Sequence, residues 1–326
     1  MTDTAPTPAA APTDDLPVQH MRFDAHGKSL GAHSPHQRFE WIHLKRGTPE
    51  AEAWLAQSGL SRFLVRALTE EETRPRCIVD DEGALLILRG VNLAEGAEPE
   101  DMVSIRFFSD GKRVISVWRR PLLSITDLLA SVARGTGPVS PGDLIAKVAL
   151  RLADRADPIV AALNDKVDDL EDAVLDGDTT AIRRDLANVR RISILIRRFM
   201  FPQRDALTTL EIEDLHWLNR ADRTRIREAS ERTTRLAEEL EAIRERATVV
   251  HEQVMDMRAE TMNRSMYALA IITAIFLPLG LLTGLLGINV GGMPGADNPD
   301  AFWVVCAILG TLVVAQLAVL RWLKVI

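Results

Sequence analysis

Met266 to Leu286 reads MYALAIITAIFLPLGLLTGLL, and Ala301 to Leu320 reads AFWVVCAILGTLVVAQLAVL. As helices, both runs are long enough to cross a hydrocarbon core of roughly 30 Å. No charged residue falls between Ser265 and Ala296. Core helices of soluble domains rarely run so far without a charge, so residues 265–326 are expected to form a two-helix transmembrane domain. Arg258 and Arg264 precede the first run, and Arg321 and Lys324 follow the second. The connecting loop, Gly287 to Asp300, has no Lys or Arg and only Asp297 and Asp300. The positive-inside rule then puts both chain ends in the cytoplasm and the short loop outside, as in a multi-pass protein of the inner (plasma) membrane. Trp303 and Trp322 stand near opposite ends of the second run, where aromatic anchors belong.

Upstream, no Pro or Gly occurs between Arg220 and Ile275. Ile226, Ala229, Thr233, Leu236, Leu240, Ile243, Ala247, Val250, Val254 and Met257 repeat at spacings of three and four, a coiled-coil-like seam. One helix over residues 221–286 would be on the order of 100 Å long, with a kink expected at Pro278. It is read either as a stalk that transmits position or as a passive spacer. Earlier apolar stripes predict two more helices. One runs from Ile145 to Val174 with a bend at Pro158, and the other from Ile182 to Ile196, stopping near Pro202. Residues 136–264 are thus a helical bundle and stalk, reached through a Gly/Pro linker at Gly135–Gly142.

Residues 21–135 read as an α/β domain with a small sheet. Strands are expected at Phe39–Leu44, Arg76–Asp80, Ala84–Leu93, Met102–Phe108 and Arg113–Arg119, and helices at Pro49–Gln57 and Leu122–Ala133. Asp81-Glu82-Gly83 signals a turn, and Ser109-Asp110-Gly111-Lys112 a hairpin. Residues 1–20 are rich in Ala, Pro and Thr, show no secretory signal, and read as a disordered tail.

The composition of the 326 residues narrows the function classes. The net charge of −7 gives no basic signature for nucleic acid, and the acidic balance suits a cation partner. The two cysteines, Cys77 and Cys306, lie far apart, which argues against a disulfide framework. No phosphate-cradling glycine loop or nucleophile–base set is found, so no enzyme activity is expected. His26, His33, His36 and His43 have no nearby Cys pair to complete a zinc site, and read as exposed loop histidines. Asp165, Asp168, Asp169, Glu171 and Asp172 are candidates for holding regulatory cations, the alternative being a solvated helix face. Met255, Met262 and Met266 offer soft sulfur, the alternative being a packing seam.

Two spanning helices cannot enclose a hydrophilic path, so conduction requires several copies around an axis. On the first span, Asn263, Met266, Ala270, Thr273, Leu277, Gly280 and Gly284 share one helical face, the candidate pore lining. Asn263 and Thr273 are its polar members, costly against lipid. Gly280 and Gly284 form a small-xxx-small pair, for close helix approach or for the pore itself.

At the outer end of that span comes Gly287-Ile288-Asn289, followed by Val290-Gly291-Gly292-Met293-Pro294-Gly295. Here the chain resembles the CorA-type metal ion transporter superfamily, whose hallmark is Gly-Met-Asn at this place. With Ile288 in the middle position and a Gly-Gly-x-Pro-Gly loop, it is similar to the ZntB-type zinc transporter branch. LNDKVDDLEDAVL at Leu163–Leu175 and the basic stretch Leu186–Leu210 also resemble the family's acidic and basic helices.

The resemblance implies a funnel-shaped homopentamer in the lipid bilayer, its first spans lining the pore. Asn289 would ring the outer mouth and touch the metal through ion-bound water, with outer-loop attraction from Asp297 and Asp300. Asn263 and Met266 match the inner constriction. Gly295 stands where magnesium-carrying members often have a carboxylate, which favours the zinc-type assignment. The expected activity is zinc uptake with no bound cofactor. A magnesium/cobalt channel of the same superfamily is the alternative, and a non-conducting membrane-tethered sensor is a third reading. The zinc branch also raises proton coupling, although no Asp, Glu, His, Lys or Arg lies inside either span to carry a proton.

Overall fold

The computed structural model of the chain describes residues 16–31, 34–71, 73–176, 179–288, 295 and 298–323. It divides into two compact units between His251 and Glu252.

The first unit is built on a seven-stranded sheet. In chain order the strands are β1 (Val18–Phe23), β2 (Ser29–Leu30), β3 (Phe39–Lys45), β4 (Arg76–Asp80), β5 (Gly83–Gly90), β6 (Val103–Ser109) and β7 (Arg113–Trp118). Their spatial order is β2-β1-β3-β7-β6-β5-β4. All neighbours are antiparallel except β3 and β7, which run parallel with Ile42 opposite Ile115. A parallel pair needs a crossover. Here it carries α1 (Pro49–Gln57), α2 (Arg62–Thr69) and β4 to β6.

The period-2 alternation of the strands sends side chains to two cores. On one face Ile42, Leu44, Leu85, Phe108, Ile115 and Val117 meet Leu55, Leu64 and Leu68 of α1 and α2. On the other, Phe39, Trp41, Leu86, Leu88, Ile105 and Phe107 share a cluster with residues of α3 (Leu123–Ala133), α4 (Pro141–Asp176), α5 (Thr179–Ile212) and the first turns of α6 (Arg220–Leu286). Covered on both faces, β5 reads as the nearly continuous apolar run ALLIL.

The expected hairpin forms between β6 and β7. Asp110 Oδ1 accepts from the N–H groups of Lys112 and Arg113, both at 2.9 Å. Gly111 has φ +86°, and a Cβ there would come within 2.7 Å of Trp217. At Gly83, φ is +146° and a Cβ would meet the Ser109 carbonyl oxygen at 2.2 Å, so the β4–β5 turn admits only glycine.

Several expectations need correction. β1 begins at Val18, so residues 18–20 are strand rather than tail. The β1–β2 hairpin and α2 were not foreseen. His43 is not a loop histidine. It is 1% exposed in β3, stacked on Trp118 and bonded to Ser116 Oγ at 2.7 Å. Pro202 does not stop α5, which continues to Ile212. The proline removes one backbone donor. Burial of Met200, Gln203, Ala206, Leu207 and Leu210 holds the helix through it, and Gln203 Oε1 accepts the Arg89 N–H of β5 at 2.7 Å.

The Gly135–Gly142 linker is anchored rather than loose. The Gly137 N–H donates to the Gly27 carbonyl at 3.0 Å. Ser140 Oγ accepts the Asp143 N–H at 2.9 Å and Asn219 Oδ1 accepts the Asp222 N–H at 3.0 Å, each capping a helix start. The two caps are joined by Ser140 Oγ donating to Asp222 Oδ2 at 2.8 Å. Burial pushes the Asp222 carboxyl up from its ordinary value; the Ser140 bond opposes this and the neighbouring Asp143 charge adds to it. Asp143 itself is paired with Lys147 and Arg225.

The seam of α6 is buried from Ile226 to Val254, while its last expected member, Met257, is 39% exposed.

Candidate functional site

The second unit holds the end of α6 and α7 (Ala301–Trp322), and these are the two helices of the described residues long and apolar enough to cross a membrane. No residue of α7 is buried. Large apolar side chains stand open on both helices, among them Phe276, Leu277, Leu281, Phe302 and Val314. In water such a surface would be a severe liability, and in lipid it is the ordinary state. Trp303 and Trp322 are exposed near the two ends of α7, as interfacial anchors are.

Exposure distinguishes the faces of these helices. On α6, Ile271, Ile275, Pro278, Leu279 and Leu282 are half-buried. On α7 the half-buried stripe is Val305, Leu309, Leu312, Gln316 and Leu320, at spacings of three and four. Gln316 Nε2 donates to the Ala274 carbonyl at 3.4 Å. These stripes mark the sides that the two helices turn to each other.

The sequence-derived face is elsewhere. Asn263, Met266, Ala270, Thr273, Leu277, Gly280 and Gly284 are all exposed. At about 100° per residue, their mean direction lies roughly half a turn from the half-buried stripe of α6. A Cβ added at Gly280 or Gly284 would meet nothing within 4 Å, so neither glycine packs against a neighbour within the chain. Thr273 Oγ1 donates to the Leu269 carbonyl at 2.8 Å, which leaves its lone pairs facing outward. Alongside, Ile272, Thr273, Phe276, Leu277, Gly280 and Leu281 line an open groove of about 490 Å³.

The helix ends where Gly287 donates to the Thr283 carbonyl at 2.9 Å and to the Gly284 carbonyl at 3.2 Å. Ile288 follows, 47% exposed. Asn289 and Asp297 lie outside the described residues. Asp300 is exposed at the start of α7, where its carbonyl accepts the Val304 N–H at 3.1 Å and its side chain makes no capping bond.

Other candidates are drawn into the scaffold or stand alone. Arg246 of α6 binds Asp168 at 2.5 Å and Glu171 at 2.7 Å, so two of the five acidic candidates on α4 are already paired with one guanidinium. Among the described residues no cluster of three or more His, Cys, Asp or Glu side chains is placed to hold a metal, and His33 lies outside them. Met255, Met262 and Met266 are 46%, 63% and 61% exposed, so they form no packing seam within the chain. Gln316 was missed in the sequence, although a carboxamide within an apolar run was its signal.

Comparison with known proteins agrees with this architecture. The chain is 45% identical over 289 residues to the divalent cation transporter CmaX of Pseudomonas aeruginosa, covering 87% of each chain. It is 36% identical over 285 residues to the zinc transport protein ZntB of Pectobacterium atrosepticum, covering 87% of this chain and 86% of the relative. The solved structure of full-length CmaX superposes with a TM-score of 0.80 at 41% identity, covering 94% of this chain and 97% of that one. The profile of the CorA-like Mg2+ transporter protein family matches residues 36–322. With that span matched and the fold shared, the chain belongs to the CorA-like Mg2+ transporter family.

Proposed function

We propose that this protein carries divalent metal cations across the inner membrane, zinc by preference, through an axial pore made by the first spans of several copies, five in the family's arrangement. The family is one of transporters and not of enzymes. The metal ion is cargo, and no cofactor is invoked.

The observation that carries the reading is the uncovered face of α6. A helix that turns one side to α7 and keeps Asn263, Thr273, Gly280 and Gly284 open on the opposite side is suited to facing an axis shared with other copies. Small residues toward the outer end leave room for a hydrated ion. Gly287-Ile288-Asn289 then brings a ring of carboxamides to the mouth. A neutral carboxamide oxygen accepts hydrogen bonds from ion-held water, so the cation keeps its shell and is released readily. Asp297 and Asp300 add local attraction for cations.

The positive-inside pattern favours both termini in the cytoplasm. With the interior negative, each elementary charge gains roughly 2.3 kcal/mol per 100 mV on moving inward, and a divalent ion about twice that. Passive flow is therefore uptake.

Zinc, magnesium and cobalt influx into proteoliposomes, with and without a pH gradient, tests the reading. Zinc faster than magnesium is the expected outcome. Equal magnesium flux would assign the alternative, a magnesium/cobalt channel, and a pH-dependent zinc rate would add proton coupling. Vesicles that pass no divalent cation under voltage would leave the membrane-tethered sensor.

A further inference from the structure

We infer that Gln316 is a positioning residue for the first span, capping a backbone carbonyl that Pro278 leaves without its helical donor. In an α-helix the carbonyl of residue i accepts the N–H of residue i+4. Pro278 lies inside α6 and has no N–H, so the carbonyl it orphans is that of Ala274. That carbonyl is the one Gln316 Nε2 approaches from α7, at 3.4 Å.

The other two helix-interior prolines show why a side chain is needed here. Pro158 and Pro202 free the carbonyls of Asp154 and Arg198, both exposed residues of the first unit, where solvent is at hand to supply the bond. In a hydrocarbon core no water is at hand, and an unpaired carbonyl is costly. Gln316 sits in the half-buried stripe of α7, the only amide, acid or base between Ala301 and Leu320. Because Ala274 offers only an acceptor, Gln316 must present its NH2 group. This fixes the amide's orientation and leaves Oε1 buried without a partner among the described residues. An amide is tolerated in such a place when it meets a specific need of the neighbouring helix.

The consequence is mechanical. Pro278 separates the Asn263–Thr273 part of the open face from the Gly280–Gly284 part. A bond across the proline holds their relative direction, and with it the course of the face that the transport reading assigns to the pore. Gln316 touches no ion in this scheme. Its loss therefore lowers maximal flux and leaves the half-saturating cation concentration unchanged.

The test is a double-variant cycle on the full chain in liposomes, using Gln316→Met, Pro278→Ala and the pair. Methionine keeps the length and lack of branching of Gln316 without its donor. Alanine at 278 restores the donor for Ala274. Melting midpoints and zinc influx are both read. Gln316→Met alone is expected to lower the midpoint and to cut maximal influx about threefold, the scale of one interhelical hydrogen bond in lipid. In the Pro278→Ala background the same change should alter neither quantity. An equal effect of Gln316→Met in both backgrounds, or none in either, overturns the assignment. The flux arm rests on the transport reading. The melting cycle does not, so wild-type vesicles that carry no cation would count against transport while the melting cycle still decides the role of Gln316.

Discussion

The two units handle apolar side chains in opposite ways. In the first, Phe107 is fully buried between β6 and the helices that cover its face. In the second, Phe276 is 67% exposed on a helix whose large side chains mostly point away from the chain. Polar groups follow the same division. The first unit pairs them internally, as in the linked caps of Ser140, Asp143, Asn219 and Asp222 or the clasp of Arg246 on Asp168 and Glu171. The two apolar spans of the second have few polar side chains, and the threonines within them bond to their own helix. The first unit thus covers its apolar and polar groups largely within one chain, whereas the open apolar surface of the second requires lipid around it.

The strongest attempt to break that contrast is at the mouth proposed for Asn289. Asn289→Ala should abolish cation influx into proteoliposomes while size-exclusion and cross-linking profiles stay those of the wild type. Wild-type influx in that variant would remove Asn289 from the transport mechanism. Next comes a matched pair of core tests. Phe107→Ala should cost about 3–5 kcal/mol in denaturant unfolding. Phe276→Ala in the same detergent should stay below about 1 kcal/mol, as for other exposed sites. A cost at Phe276 equal to that at Phe107 would mean that the spans make a core of their own.

A smaller effect distinguishes the faces of the spans. Gly284→Leu fills the open face of α6 and should reduce influx severalfold, while Gly310→Leu, also in open space but on α7, should leave it near wild type. Equal losses at both would place the path elsewhere. The smallest effect concerns protons. Asp222 has a folded-state value above its unfolded one, so the folded protein binds the proton more tightly. Its stability should therefore increase as pH falls from the raised value toward the ordinary carboxylate range. Asp222→Asn should flatten that part of a melting-against-pH curve, and an unchanged slope would assign the titration to another group.

These contrasts explain what could be read from the amino acids. FEWIHL and ALLIL declare strands because β-branched, aromatic and leucine residues run together between turn formers. Asp110-Gly111 declares its hairpin because a tight turn needs a positive φ. The common side of Asn263, Thr273, Gly280 and Gly284 on α6 was legible from helical periodicity alone. Its direction relative to α7 was not, because pairing of two helices is a tertiary fact. VQHMRF escaped notice because Gln19, His20 and Arg22 interrupt its apolar pattern. α2 escaped because eight residues show barely two turns of periodicity. Pro202 misled because one missing donor weighs less than the side chains buried on both sides of it. The need for Gln316 appears only when the carbonyl released by Pro278 is traced to the partner helix.

The parallel contact of β3 with β7 carries a consequence for synthesis. Strand β3 is complete at Lys45, yet its inner neighbour is not finished until Trp118. The nascent N-terminal meander must wait, one edge open, while the ribosome adds everything between. Only then can the sheet zip shut, and both lipid-bound segments are still untranslated at that moment. A delay in that interval would leave β3 available to strand edges of other nascent chains, making translation pace across residues 46–112 a determinant of yield.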